Sequence, residues 1–164
     1  MEEKFLAKKS KKAENIYLIM TLVTGCLHLV VFAISAINLF LPGHNKMFGL
    51  SFGLTAGVAV LILFMLSFWL YISTRSLPED LIKEKEDGFS ILNGKEYCQF
   101  GYIEDVYAKP FLKMKKENNF GKIVFVFPSG EIYKVKSVEN VFEAERRIKE
   151  ILSEKGAAVR ALED

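Results

Sequence analysis

Two long apolar segments occupy the first half of the chain. Residues 16–41 and residues 47–74 contain no Asp, Glu, Lys or Arg. A helix needs about 20 apolar residues to cross a hydrocarbon core of about 30 Å, and both segments exceed that length. The first is also too long to be the apolar region of a cleaved signal peptide. The pattern therefore predicts two transmembrane helices, joined by the turn 42–46.

The short turn and the flanking charges predict how this hairpin is oriented. Pro42 and Gly43 end the first helix, and so short a connection makes the two helices antiparallel neighbours. Basic residues concentrate on the cytoplasmic side of membrane helices. The turn has only Lys46, whereas residues 1–15 form a basic segment and Arg75, Lys83 and Lys85 follow the second helix. Both termini are therefore expected in the cytoplasm, with the hairpin in the plasma (inner) membrane.

Small residues recur on the second apolar segment. Gly49, Gly53 and Gly57 are spaced four residues apart, so they form one smooth stripe on a helix. Such a stripe lets another helix approach closely. Ser35 on the first segment lies at about the same depth. Packing within the hairpin explains the stripe, and contact with a second protein is the alternative.

His28 lies near the middle of the first segment. An ionisable side chain at that depth is costly and raises a functional hypothesis. The simplest interpretation is a neutral imidazole bonded to Thr24 or to a backbone carbonyl one turn earlier. A partner contact is the second interpretation. A cofactor site is the third, and it would need another ligand from a second subunit; we expect no cofactor.

After the second helix the pattern changes to that of an α+β domain. Residues 75–87 are rich in charge and contain Pro78, which predicts a linker. Asn93-Gly94 is a strong hairpin signal. The predicted strands cover residues 88–92, 95–101, 106–112, 122–127 and 132–138. An apolar stripe with helical spacing then predicts an amphipathic helix that Gly156 ends, which leaves 88–156 as the domain and 157–164 as a tail.

The last part of this domain carries a resemblance. Residues 121–133 (GKIVFVFPSGEIY) resemble the last two strands and the turn of a pleckstrin-homology-like (PH-like) domain, and residues 138–152 resemble its closing helix. Ile103-Glu104-Asp105-Val106 is similar to the opening of a middle strand. The chain thus resembles bacterial PH-like domains attached to short membrane hairpins. The resemblance implies a small antiparallel β roll or partial barrel closed by a C-terminal helix.

A lysine-rich surface is the notable feature of the domain. Its residues are Lys109, Phe111, Lys113, Met114, Lys115, Lys116 and Lys122. Lysines near an anionic leaflet favour binding to it, and the apolar side chains can enter the headgroup layer. A solubilising loop between strands, a membrane-docking surface and a protein-binding surface all fit this pattern.

The remaining chemistry argues against several classes of function. A net charge of +2 gives no basis for nucleic-acid binding. Cys26 and Cys98 are expected to be free thiols, and neither histidine can act as a base in the domain. We therefore expect a membrane-anchored, non-catalytic interaction module, an accessory or assembly subunit with a protein partner in the membrane or at its cytoplasmic face. The alternatives are an anionic-lipid-sensing domain and a homo-oligomeric structural or channel-like protein.

Overall fold

The computed structural model describes residues 5–111 and 119–163, with side chains as far as Lys155. The chain forms two units. One is Glu14–Ser76, and the other combines Met1–Ala13 with Leu77–Asp164. We describe the two units separately and call the second one the roll.

The first unit consists of two long apolar helices, as the sequence predicts. Helix α1 spans Lys11–Phe40 and helix α2 spans Lys46–Arg75. Each is long and apolar enough to cross a membrane. Between them Gly43 has φ +82°, a left-handed conformation that glycine adopts without strain. Asn45 then caps α2, since its Oδ1 accepts a hydrogen bond from the Phe48 N–H at 3.0 Å.

The roll contains two antiparallel sheets and a C-terminal helix. The first sheet has the order β1-β2-β3-β4 and the second the order β5-β6-β7. The strands are β1 (Phe5–Lys8), β2 (Asp80–Glu84), β3 (Gly88–Ile91), β4 (Glu96–Gln99), β5 (Asp105–Pro110), β6 (Gly121–Val126) and β7 (Ile132–Val138). A 3₁₀ turn, Phe100–Tyr102, connects the sheets, and helix α3 spans Val141–Glu163. The antiparallel sheets and the closing helix confirm the predicted α+β class.

Strand β1 joins the two sheets at one edge. It pairs with β2, with Lys8 opposite Asp80. Just beyond it, Lys9 forms a bridge with Val138 of β7, and the Ser10 N–H donates to the Ser137 carbonyl at 2.8 Å. One bridge and one backbone hydrogen bond therefore link the two sheets on this side.

One core lies between the sheets and α3. Phe89 is fully buried, and its ring contacts Phe100 edge-to-face at 4.9 Å between centroids and Phe125 at 6.0 Å. Helix α3 contributes Val141, Ala144, Ile148 and Ile151 to this core. Phe89 thus links β3, the 3₁₀ turn and β6.

Strands β1 and β2 replace a predicted basic segment and a predicted linker. Residues 1–15 and 75–87 each supply one strand of the first sheet. Strand β1 has three consecutive apolar residues, of which Leu6 and Ala7 are buried and Phe5 is exposed, and β2 has one buried apolar pair, Leu81-Ile82. Irregular register in β1 turns the adjacent residues Leu6 and Ala7 both inward. Neither strand has the alternating pattern from which strands are predicted.

Helix α3 also extends beyond its predicted end. It continues through Gly156 to Glu163, so the predicted tail 157–164 is helical over its described residues. A glycine inside a helix costs only about 1 kcal/mol relative to alanine. Ala157 and Ala158 follow at once, and both favour helix.

Cys98 is a buried thiol in β4. Burial, with a smaller contribution from the charge of Glu96, raises its pKa from 9.0 to about 11. Because the folded-state pKa lies above the ordinary value, the thiol favours the folded roll below pH 9, and this contribution is lost as the pH rises towards 11. At neutral pH the folded thiol is protonated and covered, so its modification by a thiol reagent reports unfolding of the roll.

Candidate interaction surfaces

A polar contact joins the two long helices. Thr24 Oγ1 lies 3.1 Å from Ser67 Oγ, and Ser67 is buried. Each hydroxyl has a single proton, so one of the two can donate to the other while the second donates within its own helix, Thr24 to the Met20 carbonyl or Ser67 to the Phe64 carbonyl. Hydrogen bonds between membrane helices are worth about 0.6–2 kcal/mol. The contact thus stabilises the hairpin.

The predicted glycine stripe faces α1 at two of its three positions. A Cβ on Gly49 would lie 2.8 Å from Asn38 Cβ and 3.0 Å from the Ser35 carbonyl oxygen. A Cβ on Gly53 would lie 2.9 Å from Ser35 Oγ. At Gly57 the nearest atom is Val31 Cγ1, at an ordinary contact distance of 3.9 Å. Gly49 and Gly53 therefore serve close packing inside the hairpin.

Among the described residues His28 forms neither bond that the simplest interpretation allowed, one to Thr24 or one to a backbone carbonyl one turn earlier. Its Nδ1 is buried and has no hydrogen-bond partner within the part of the chain that the structure describes. Thr24 instead bonds backbone carbonyls of its own helix and contacts Ser67. The described residues also contain no group of three or more His, Cys, Asp or Glu side chains that could hold a metal ion.

Replacing Gly49 by alanine is expected to loosen the hairpin. The added methyl group meets a backbone oxygen and Asn38, and overpacking of this kind costs about 1–3 kcal/mol. The readout is an SDS titration of the full chain, followed by the fluorescence of Trp69, the single tryptophan, which lies on α2. Gly57→Ala is the matched control, because the space there accepts a methyl group. Equal midpoints for the two variants would contradict packing of the stripe inside the hairpin.

Lysines gather on the outer face of the second sheet. Lys109 and Lys122 are directly paired on β5 and β6. Lys122 in turn lies opposite a bulge in β7 formed by Lys136 and Ser137, where Ser137 has φ +57°. All three lysines are exposed. Among the side chains of residues 5–111 and 119–155, none of the three forms an ion pair.

Aromatic side chains adjoin these lysines where β5 and β6 end. The rings of Phe111 and Phe120 stack at 5.0 Å, and the Phe111 N–H donates to the Phe120 carbonyl at 3.0 Å. Phe120 is buried, while Phe111 is 47% exposed. Gly121 permits this close pairing, since a Cβ there would lie 2.4 Å from the Lys109 carbonyl oxygen. Lys113, Met114, Lys115 and Lys116, predicted for the same surface, lie outside the described residues.

The two ends of the roll differ in character. We call the end that contains Lys8 and Asp80 the helix-connected end, because the chain leaves from there to α1 and returns there from α2. Antiparallel pairing puts residues 85–87, 100–104 and 127–131 at the opposite, far end. These far-end connections carry four carboxylates and one lysine: Glu86, Asp87, Glu104, Glu131 and Lys85.

Exposed apolar side chains accompany the far-end carboxylates. Tyr102 is 67% exposed, and Ile132, the first residue of β7, is 51% exposed. The Tyr97 hydroxyl donates to the Asp87 carboxylate, and partial burial, together with that bond, raises the pKa of Tyr97 to about 12. Sequence reasoning missed this surface, because its residues come together only through strand pairing.

No protein-family model, curated protein or solved structure matches the chain. A functional assignment therefore rests on the residues and contacts described above.

Proposed function

We propose that the protein is a membrane-anchored, non-catalytic interaction module and an accessory or assembly subunit of a larger membrane complex. The observation that carries this proposal is the place of the hairpin in the order of elements along the chain. Helices α1 and α2 are inserted between β1 and β2, two paired strands of one sheet. The anchor is thus part of the domain's own topology.

This insertion bears on the side of the membrane that the roll occupies. Because β1 and β2 pair, the residues before α1 and after α2 belong to the same side. That agrees with two crossings by a hairpin. The lysines around residues 1–15, set against Lys46 alone in the turn, favour the cytoplasmic side for both ends.

The strand count supports the PH-like resemblance. The PH fold has seven strands and a closing C-terminal helix, whereas the sequence pattern yields about five strands. With β1 and β2 the roll has seven strands among the described residues, and α3 packs on their core. On this proposal the hairpin takes the place of a β1–β2 loop.

The far end supplies a surface for a protein partner. Tyr102 and Ile132 expose apolar area beside carboxylates, and the chain leaves for the membrane from the opposite end. Tyrosine is enriched among residues that dominate binding energy at interfaces. A partner with an apolar patch rimmed by basic residues would complement this surface.

The test is purification of the full-length protein in a mild detergent, followed by native mass measurement. We expect a heteromeric complex, and we expect Tyr102→Ala combined with Ile132→Ser to reduce the bound partner at least tenfold, about 1.4 kcal/mol. Phe142→Ala, which removes an exposed ring on α3, is the control and should retain the partner. A lone monomer, or a complex that tolerates the double change, would contradict the proposal.

A further inference from the structure

We propose that Lys109, Lys122 and Lys136, together with Phe111, contact the phosphate groups of anionic lipids in the leaflet that holds the hairpin. This inference rests on the proposed membrane anchoring. It adds a second partner, the lipid surface itself, and assigns it a face of the roll.

Strand register places these residues beside the start of α1. Lys9 bridges Val138, Val138 pairs with Gly121, and Gly121 pairs with Pro110. These residues form one row across neighbouring strands. With strands about 4.8 Å apart, the row spans about 14 Å. Lys109, Lys122 and Phe111 are immediate chain neighbours of its members, so they lie at the helix-connected end.

A short connection joins this end of the roll to the apolar segment of α1. Ser10 hydrogen-bonds the β7 strand through the Ser137 carbonyl and also caps α1, its Oγ accepting from the Ala13 N–H at 3.2 Å. The apolar segment begins six residues later, at Ile16. Six helical residues rise only about 9 Å. A membrane-inserted α1 therefore holds the row within reach of lipid headgroups.

The charges are arranged for such a contact. Lys109 and Lys122 are directly paired, which is unfavourable for like charges without a counter-ion. Within the described part of the chain no carboxylate pairs with either of them or with Lys136. At the helix-connected end Glu79, Asp80 and Glu139 lie beside Lys8 and Lys9 and, among the described side chains, form no ion pair with these three lysines, whereas the far-end connections carry four carboxylates and one lysine. An anionic leaflet would neutralise the lysines, while the acidic end would remain in water.

Phe111 provides an apolar contact at the same place. Its ring is half exposed, and it is held by stacking on buried Phe120. A ring held next to a lysine pair suits the boundary between headgroups and acyl chains. The surface therefore combines attraction to phosphate with a residue that can enter the bilayer.

The test uses the full-length protein in lipid nanodiscs. Phe111→Trp in a Trp69→Phe background places the only indole at the proposed contact. Its quenching by brominated acyl chains is compared in phosphatidylcholine alone and with about 30% phosphatidylglycerol. We expect strong quenching only with the anionic lipid, reversed by about 0.5 M salt. Lys109→Gln with Lys122→Gln should lower the ratio of lipid-contacting to free domain by about 30-fold, roughly fivefold for each lysine.

Two controls separate the possible outcomes. The double change Lys85→Gln with Lys149→Gln removes the same amount of charge near the far end: Lys85 lies in a far-end connection, and Lys149 forms an ion pair with Asp105 at the start of β5. This variant should leave the quenching unchanged. The unaltered protein, whose single Trp69 lies on α2, should be quenched in both lipids; if it is not, the anchoring itself fails. If Trp69 is quenched but the Phe111→Trp protein is quenched equally in both lipids, the proposed lipid contact is wrong while the membrane anchoring stands.

Discussion

Replacing Leu6 by aspartate is expected to remove a large part of the stability of the roll, although Leu6 belongs to a segment with the sequence pattern of a basic N-terminal extension. Leu6 is 4% exposed and belongs to the core shared by both sheets. A carboxylate there loses its hydration without gaining a partner, and such a change costs about 4 kcal/mol. A typical domain has only about 5–15 kcal/mol of stability in total.

The measurement is the rate at which Cys98 reacts with a thiol reagent in the full-length protein carrying Cys26→Ser. A loss of about 4 kcal/mol should raise this rate by about three orders of magnitude. Phe5→Asp is the matched control, because Phe5 is the adjacent residue and is 43% exposed. It should change the rate by less than about threefold. Similar rates for the two variants would show that β1 is not part of the core.

Replacing Phe89 by alanine should have an effect of similar size for a different reason. The change leaves a cavity at the point where β3, the 3₁₀ turn and β6 meet. Phe-to-Ala substitutions at fully buried positions cost about 3–5 kcal/mol, and contacts with Phe100 and Phe125 are lost as well. Cys98 pairs with Phe89 across the β3–β4 ladder. The rate at which a thiol reagent modifies Cys98 therefore reports directly on the structure around Phe89.

Tyr102→Ala is the control for this second prediction. It removes an aromatic ring of similar size from the 3₁₀ turn, two residues from Phe100, but that ring is 67% exposed. We expect Phe89→Ala to increase Cys98 labelling by about 100-fold or more and Tyr102→Ala by less than about threefold. If Cys98 were labelled no faster in the Phe89→Ala protein than in the Tyr102→Ala protein, the two sheets would not share the core described here.

Sequence patterns predicted those elements whose signals are local. Helix α3 shows its apolar stripe within a few turns, and the strands from β3 to β7 were predicted within about two residues of their observed ends. The Asn93-Gly94 turn carries its own backbone preference. By contrast, β1 and β2 are defined by pairing with each other across the whole hairpin, and neither has a recognisable pattern alone.

The candidate surfaces were predictable to a similar extent. Lys109 and Lys122 stood out in the sequence as flanks of a lysine-rich loop, but their direct pairing requires the register of β5 and β6. Lys136, on β7, was not predicted for this surface, because only the bulge in β7 opposite Lys122 brings it there. The Thr24–Ser67 contact was missed, although the two residues lie at similar distances from the turn, because hydroxyl side chains are common in apolar helices.

The insertion of the hairpin also has a consequence for the order of folding. About 71 residues separate Lys8 from Asp80, and closing so long a flexible loop costs about 2 kcal/mol more than closing one of nine residues. If the two antiparallel helices form first, they bring their outer ends together and leave only short free connections. The hairpin would then act on β1 and β2 as a cross-link does, and assembly of the roll would follow insertion of the helices into the bilayer.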